Sequence, residues 1–537
     1  MFDLDIQRYG TSMVRLDGAS LTLDDLVAIA EGATVTLDAG ARERVAAARV
    51  VVDEFAHHDD PTYGINTGFG DFAEVRIAPE SLAELQVNLL RSHSAGVGEP
   101  LPPAVVRATM ALRANVLAKG FSGIRVATLE LLIEMINRGV VPVVPSRGSV
   151  GASGDLAPLA HLALVLIGEG EAFVTQGGGE TAGVTGRPSR PAPQPSRPAL
   201  LIGAAALDEV GLRPIGLEPK EGLALINGTQ PSTALLGLAL HGAERLARAA
   251  DVAAALSIDG LQGSTKPFDP RIHAARPFPG QATVAANLTR LLADSGINAA
   301  HANCGRVQDA YSMRCAPQVH GAARDVFAHV HRIFDVEANA ATDNPMVFAD
   351  TREIISGGNF HGAPVSMAAD QVCLAVAQLA TISERRSDRL VNPASSGLPA
   401  FLTRHGGLQS GLMMAQVTAA ALTSELKTLA HPASVDTIPT SGNREDHVSM
   451  SMAAGLKAMR ALELARSIIA IELLCAAQAI DLLAPLTSSP SLMRVHDLLR
   501  RHVPALAHDR SPAPDIARIT ALIARGELDR ACAGKVN

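Results

Sequence analysis

The sequence predicts an all-α protein organised around a bundle of long helices. Three observations lead there. Hydrophobic residues make up 47% of the 537, yet aromatics make up only 3%, with no Trp and three Tyr; a core of Ala, Leu, Val and Ile favours helix packed on helix. Long stretches free of proline cover residues 232–259, 318–344 and 440–484. Between the last two, apolar positions recur at three and four, as at Val372, Val376, Leu379 and Ile382. Helices of such length with short breaks pack side by side as a bundle.

In chain order, the first 60 residues are mixed, with helical apolar periods at 21–26 and 41–55. The segment Pro61-Thr62-Tyr63-Gly64-Ile65-Asn66-Thr67-Gly68-Phe69-Gly70-Asp71 holds three glycines within seven positions and reads as a loop that can move. Helical periodicity returns over 80–140. It leads into a small-residue turn, Gly148-Ser149-Val150-Gly151-Ala152-Ser153-Gly154-Asp155-Leu156-Ala157-Pro158, and then an apolar run at 159–167. Pro158 suits the first turn of a helix, and Ser153 or Asp155 its N-cap. At 177–198 the composition shifts to glycine, then to proline and arginine, as in a solvated, flexible insertion. The expected organisation is an N-terminal, mainly helical domain over 1–210, the central bundle over 211–485 and a C-terminal helical segment over 486–537.

Lysine and arginine number 46 against 54 acidic residues, a net charge of −8, with no long basic run, so nucleic acid is not an expected partner. The five cysteines are scattered and odd in number, which argues against a disulfide framework or a zinc site. The N-terminus lacks the basic and apolar segments of a signal peptide, and no uncharged apolar run reaches membrane-spanning length. A cytoplasmic, metal-free protein with no membrane partner is the class that remains.

Chemistry concentrates at the turn, where the positive end of the following helix points back at it. Gly154 lacks a Cβ, so its nitrogen can approach the carbonyl of Ala152. Ring closure with loss of two waters, one from the Ser153 side chain, leaves a five-membered ring with an exocyclic methylene, an electrophile no encoded side chain supplies. The same turn also suits plain anion binding. Tyr63 is a base only if its surroundings lower a pKa of about 10, and otherwise anchors its loop. Gln308, Tyr311 and Arg314 are three apart and share one face if helical. A guanidinium there clamps a carboxylate through two parallel hydrogen bonds, or simply sits at the surface. Asn227 meets a ligand or forms an Asx turn before a helix starting near Pro231. His93 is a packed core residue or a ligand contact, and Glu445 accepts from an imidazole or opens a helix.

Together these segments carry a resemblance. Gly151-Ala152-Ser153-Gly154-Asp155-Leu156-Ala157-Pro158-Leu159 resembles the signature of the aromatic amino-acid ammonia-lyase and aminomutase family, in which the Ala-Ser-Gly triplet becomes the 4-methylidene-imidazol-5-one (MIO) group. The string from Tyr63 to Gly70 is similar to that family's lid loop. The string from Gln308 to Cys315 resembles its Q-D-x-Y-S-x-R-C segment, and Asn227-Gly228-Thr229 its N-G-T segment. Ser92-His93 and Glu445-Asp446-His447-Val448-Ser449-Met450 resemble the histidine-deaminating branch, although Ser-His also resembles some tyrosine aminomutases. Phe360, in Ser356-Gly357-Gly358-Asn359-Phe360-His361, falls at a site-lining phenylalanine of that branch. Gly362, where Ala is expected, is nearer the tyrosine enzymes, and Arg444 stands where many relatives have Gln.

The resemblance implies non-oxidative conversion of L-histidine to trans-urocanate and ammonia. Ala152, Ser153 and Gly154 would form MIO autocatalytically, with no metal and no nucleotide. Tyr63 would take the Cβ proton and Arg314 hold the carboxylate. Tyr311 and Asn227 would position amine and ring, His93 and Glu445 would address the imidazole, and Gln308 and Phe360 would also bind the substrate. It also implies a fumarase/aspartase-like fold and a homotetramer whose sites are shared between subunits. The alternatives are an MIO-dependent tyrosine or phenylalanine ammonia-lyase or 2,3-aminomutase, a fumarase-like lyase that leaves Ser153 intact, and a non-catalytic amino-acid-binding relative.

Overall fold

The computed structural model describes residues 13–174, 199–302, 305 and 307–537. The insertion expected at 177–198 lies outside the described residues. The chain forms two compact units. One comprises Met1–Leu238, Ile333–Met367 and Ala433–Gly455, the other Ala239–Arg332, Ala368–Pro432 and Leu456–Asn537. Helices dominate both, as expected, and the nine strands among the described residues are three or four residues long.

In the first unit, strand Met13–Leu16 pairs in parallel with Thr34–Leu37. The helix between them, Leu23–Ala30, begins where Thr22 caps it. Thr22 Oγ1 accepts from the Asp25 N–H and the Asp25 carboxylate accepts from the Thr22 N–H, a reciprocal pair that fixes the first turn. Helix Ala39–Phe55 is capped by Asp38. Its Ala48, Val51 and Val52 pack on Ile65, Leu82 and Val347. Ile65 is fully buried, which at about 1.5–3 kcal/mol for such a side chain pins the glycine-rich loop beside Tyr63. Residues 80–140 form the helices Leu82–His93, Pro103–Ala118 and Val126–Asn137. A three-stranded antiparallel sheet places Glu171–Val174 between Val140–Pro142 and Ala199–Ile202. Helix Leu156–Leu166, which follows the small-residue turn, packs on Leu82–His93 and on Glu221–Ile226.

The long helices are Gln230–Gly260, Ala316–Glu337, Ala363–Val391 and Ser451–Leu482, of 31, 22, 29 and 32 residues. Two are shorter than their proline-free runs. Ala316–Glu337 stops where the Asn339 side chain turns back to donate to the Asp335 carbonyl, and residues 440–450 are irregular. The second unit holds most of each long helix, together with Pro490–His502 and Ala513–Ala524. Its interior carries paired charges. Arg386 Nη2 meets Glu472 Oε2 at 3.0 Å with both side chains fully buried, and Ser257 Oγ donates to Glu472 Oε1 at 2.7 Å. Asp251 accepts from His320 Nδ1 at 2.7 Å and from Arg324 Nη2 at 2.6 Å. Burial opposes the Asp251 carboxylate, but the Arg324 charge and the His320 hydrogen bond outweigh it and hold its pKa below the ordinary value. Ala363–Val391 is the one helix among the described residues long and apolar enough to cross a membrane, and 67% of its most apolar window is buried in the fold.

Candidate active site

A cavity of about 460 Å³ opens in the first unit. Tyr63, His93, Ala152, Ser153, Asn227, Phe360 and Glu445 all line it, over a floor of Leu89, Leu156, Leu223 and Ile226. Seven of the eleven residues singled out in the sequence thus meet at one place, and Gly154 lies directly behind Ser153.

The turn carrying the triplet is held from several directions. The Met450 N–H donates to the Val150 carbonyl at 2.8 Å, and the Asp155 N–H to the Gly228 carbonyl at 2.8 Å. Ser449 Oγ donates to the Gly151 carbonyl at 2.8 Å. Ala152, Val448 and Met450 form a small apolar cluster with Val150 and Ala433. Gly154 has φ +72°, and a Cβ there would stand 2.3 Å from the Gly228 oxygen, so only glycine fits. An isolated antiparallel bridge pairs Ala152 with Gly154. The chain therefore doubles back at Ser153 and brings together the two peptide groups that ring closure must join. By this geometry the residues present fit the MIO group.

Asp155 stands at the N-cap position of Leu156–Leu166 but makes no cap there. Its buried carboxylate instead accepts from Ser149 Oγ at 2.6 Å, and from the Ser232 N–H and Oγ at 2.9 and 2.7 Å. It thereby caps the first turn of Gln230–Gly260. Burial pushes the Asp155 carboxyl up, and the hydrogen bonds from Ser149 and Ser232 pull it only part of the way back.

Glu445 lies in the irregular segment 440–450. Ser153 Oγ donates to its Oε1 at 2.6 Å, while Thr440 Oγ1 and Ser441 Oγ donate to Oε2 at 2.6 and 2.9 Å. Burial pushes this carboxyl up, but the three hydrogen bonds and the nearby His93 outweigh it and hold the pKa below the ordinary value. His93 ends helix Leu82–His93 and donates through Nδ1 to the Leu89 carbonyl at 2.9 Å. Burial pushes its pKa down against the opposing pull of Leu89 and Glu445, so the ring is neutral with Nε2 as its acceptor.

Tyr63 meets Phe69 edge to face, ring centroids 6.4 Å apart. Burial raises its phenol pKa and the Glu445 charge adds to the rise, against a hydrogen bond from the Gly70 N–H. The sequence argument asks for surroundings that lower this pKa. The cavity does the opposite, because it desolvates the phenol and places a carboxylate near it.

Asn227 follows helix Glu221–Ile226. Its Nδ2 donates to the Asn344 carbonyl at 2.8 Å, and its buried Oδ1 has no hydrogen-bond partner among the described residues. Beneath it, the fully buried Arg113 donates from Nη1 to the Asn227 carbonyl at 2.8 Å and to Gln230 Oε1 at 2.7 Å, and also reaches the Ala224 carbonyl. Lys220 and Asp343 form a second buried pair at 3.3 Å, and Asp343 Oδ1 accepts from the Asn344 N–H at 2.7 Å. The sequence reading missed Arg113, which sits in an apolar helix with no local signal. It also gave no site role to Asn344, nor to His361 and His447, although those two lie in segments it quoted. His361 and His447 stack at 5.9 Å on the cavity wall. Gly362 is set by packing, since a Cβ there would stand 2.5 Å from Ser451 Oγ and 2.9 Å from Ser449 Oγ.

Gln308, Tyr311 and Arg314 belong to the second unit and line no part of this cavity. Their shared helical face is only partly realised. Tyr311–Arg314 is a single helical turn, and Gln308 precedes it in irregular, exposed chain. Tyr311 is 71% exposed, and Arg314 Cζ lies 4.7 Å from the centre of its ring.

A family model described as aromatic amino acid lyase matches residues 21–501. The curated histidine ammonia-lyases of Anaeromyxobacter sp. (strain K) and Myxococcus xanthus (strain DK1622) are 56% and 54% identical to this chain. Each alignment covers 96% of it, and 99% and 97% of the two relatives. Among solved structures, histidine ammonia-lyase from Trypanosoma cruzi matches with a TM-score of 0.87 at 44% identity, over 98% of this chain and 96% of that one. Tyrosine aminomutase from Streptomyces globisporus matches with a TM-score of 0.88 at 38% identity, over 98% and 99%.

Proposed function

The chain belongs to the aromatic amino acid lyases, and on that premise we propose that its cavity takes L-histidine and releases ammonia and trans-urocanate. The reaction is a carbon–nitrogen lysis without oxidation. Glu445 is the observation that carries histidine over phenylalanine. It is a cavity carboxylate whose Oε2 is held by Thr440 and Ser441 and whose Oε1, bonded to Ser153 Oγ before the triplet cyclises, is left open once that hydroxyl is lost. An imidazole N–H gives it a partner, whereas a phenyl ring leaves a desolvated charge unpaired, at a cost of about 1–3 kcal/mol or more. A tyrosine enzyme of the same family is the second reading, supported by Ser92-His93. Gly362, which points the same way in the sequence, answers to Ser449 and Ser451 instead.

The triplet Ala152-Ser153-Gly154 is assigned to MIO. Once formed, that group supplies an electrophilic carbon for the substrate amine. The chain's own side chains do the rest. Glu445 accepts the imidazole N–H, and His93 Nε2 offers a second acceptor near it. Asn227 Oδ1, buried without a partner, accepts from the substrate's ammonium group. The N-terminus of Leu156–Leu166 favours negative charge developing at the triplet. Tyr63 Oη takes the Cβ proton. An imidazole N–H donated to Glu445 neutralises part of the charge that opposes Tyr63 ionisation, so substrate prepares its own base. Tyr311, Gln308 and Arg314 serve the cavity of another subunit in a homotetramer, Arg314 clamping the carboxylate.

The test is incubation of the purified protein with L-histidine and, separately, L-tyrosine, with chromatography of the products. Urocanate from histidine alone is expected. Coumarate or a β-amino acid from tyrosine replaces the substrate assignment, and no product from either overturns the enzyme reading.

A further inference from the structure

We propose that Glu445 also builds the site it serves, as the group that moves the proton when Ser153 is dehydrated. This rests on the assignment of the triplet to MIO. The observation is a contact: Ser153 Oγ, the hydroxyl that must leave, donates to Glu445 Oε1 at 2.6 Å. Thr440 and Ser441 hold the other carboxylate oxygen, so Oε1 stays turned to Ser153. The other carboxylate at the turn is engaged elsewhere, since Asp155 is taken by Ser149 and Ser232.

Ring closure joins Gly154 N to the Ala152 carbonyl carbon. The carbonyl oxygen then leaves as the first water, with the amide protons of Gly154 and Ser153. In the second dehydration Ser153 loses its Cα proton, and that C–H electron pair becomes the Cα=Cβ double bond. The Cβ–Oγ bond breaks with its pair on oxygen, and hydroxide needs one more proton to depart as water. The Glu445 carboxylate takes the Cα proton and delivers a proton to the departing Oγ. It ends unchanged, and no oxidant, reductant or co-reactant is needed. Loss of the hydroxyl then removes the Ser153 donor from Oε1. The acceptor for an imidazole is exposed only when dehydration is complete, so one carboxylate serves two steps in a fixed order.

The test follows the mass of the triplet-containing peptide over time after cell-free synthesis of the full chain, for wild type, Glu445→Gln and Glu445→Asp. Wild type is expected to end two waters lighter. Glu445→Gln keeps the shape and a hydrogen bond to Ser153 but cannot take and return a proton. It is expected to keep the Ser153 water, or to lose it about 100-fold more slowly, the contribution of a positioned acid–base group. Glu445→Asp keeps the carboxylate one methylene further back and is expected to fall between the two. Both variants maturing at the wild-type rate overturns the proposal. If circular dichroism shows that Glu445→Gln does not fold, a wild-type rate in Glu445→Asp overturns it alone. A wild-type chain that never becomes lighter overturns both the proposal and the triplet assignment. The readout is the mass of the chain without substrate, so none of these outcomes depends on histidine being the substrate.

Discussion

Burial alone would raise the Glu445 pKa above its ordinary 4.5, but before the triplet cyclises the hydrogen bonds from Ser153, Thr440 and Ser441, with His93 nearby, reverse the sign. A carboxylate whose folded pKa lies below its unfolded one stabilises the fold above the unfolded value, and that contribution is lost as pH falls through the folded one. Melting temperature of the uncyclised chain followed below pH 5 should therefore fall less steeply with Glu445→Gln than without it, and an unchanged acid limb would remove Glu445 from the balance. The same carboxylate raises the Tyr63 phenol, so Glu445→Gln should let Tyr63 ionise at lower pH. Spectrophotometric titration reads this, because the chain has only three tyrosines. Asn227 poses a separate question. If its unpartnered Oδ1 takes the substrate's ammonium group, Asn227→Ala loses a hydrogen bond to a charge, about 1.5–3 kcal/mol, or roughly 10- to 100-fold in kcat/KM. At this scale the sequence located Tyr63 and Glu445 but not their mutual effect, since a pKa depends on what the fold sets beside the group.

Among elements, the turn from Gly148 to Pro158 was legible because its composition is extreme, and the long helices because proline is absent beyond their first turns. What was not legible are the pairings across the chain. Asp155 has the local spacing of an N-cap for the helix that follows, yet it caps Gln230–Gly260 through a residue 77 positions away. Nor could periodicity show that residues 440–450 leave the helical register, since their hydrogen bonds go to the triplet turn and to Glu445. This dense cross-bracing makes a sharp prediction for Gly154→Ala. At φ +72° and 2.3 Å from the Gly228 oxygen, the added methyl strains the backbone by about 1–3 kcal/mol and pushes the two reacting peptide groups apart. The expected variant melts lower and stays at its uncyclised mass. A variant two waters lighter would show that the turn tolerates a Cβ.

For the whole molecule, the two units carry different burdens. The bundle is held by buried charge pairs as well as by Ala and Leu. Glu472→Ala, which strands Arg386 in a dry interior, should cost about 3–5 kcal/mol in chemical denaturation without touching the cavity of the first unit. If Tyr311 and Arg314 act in catalysis as proposed, the reaction needs more than that cavity, because they line no part of it. If they complete the site of another subunit, defects in the two halves must complement. Ser153→Ala spoils the electrophile of its own cavity, and Arg314→Ala spoils only the clamp it lends to a different one. Each pure variant is inactive by a different loss. When equal amounts are unfolded together and reassembled, half of the cavities keep Ser153 and, independently, half receive an intact Arg314, so about a quarter of the sites are whole in a symmetric oligomer. Activity near that level is the expected result, with light scattering at the mass of four chains. A mixture as inactive as its parents, under conditions where wild type reassembles fully, would place Ser153 and Arg314 in the service of the same chain and overturn the shared site.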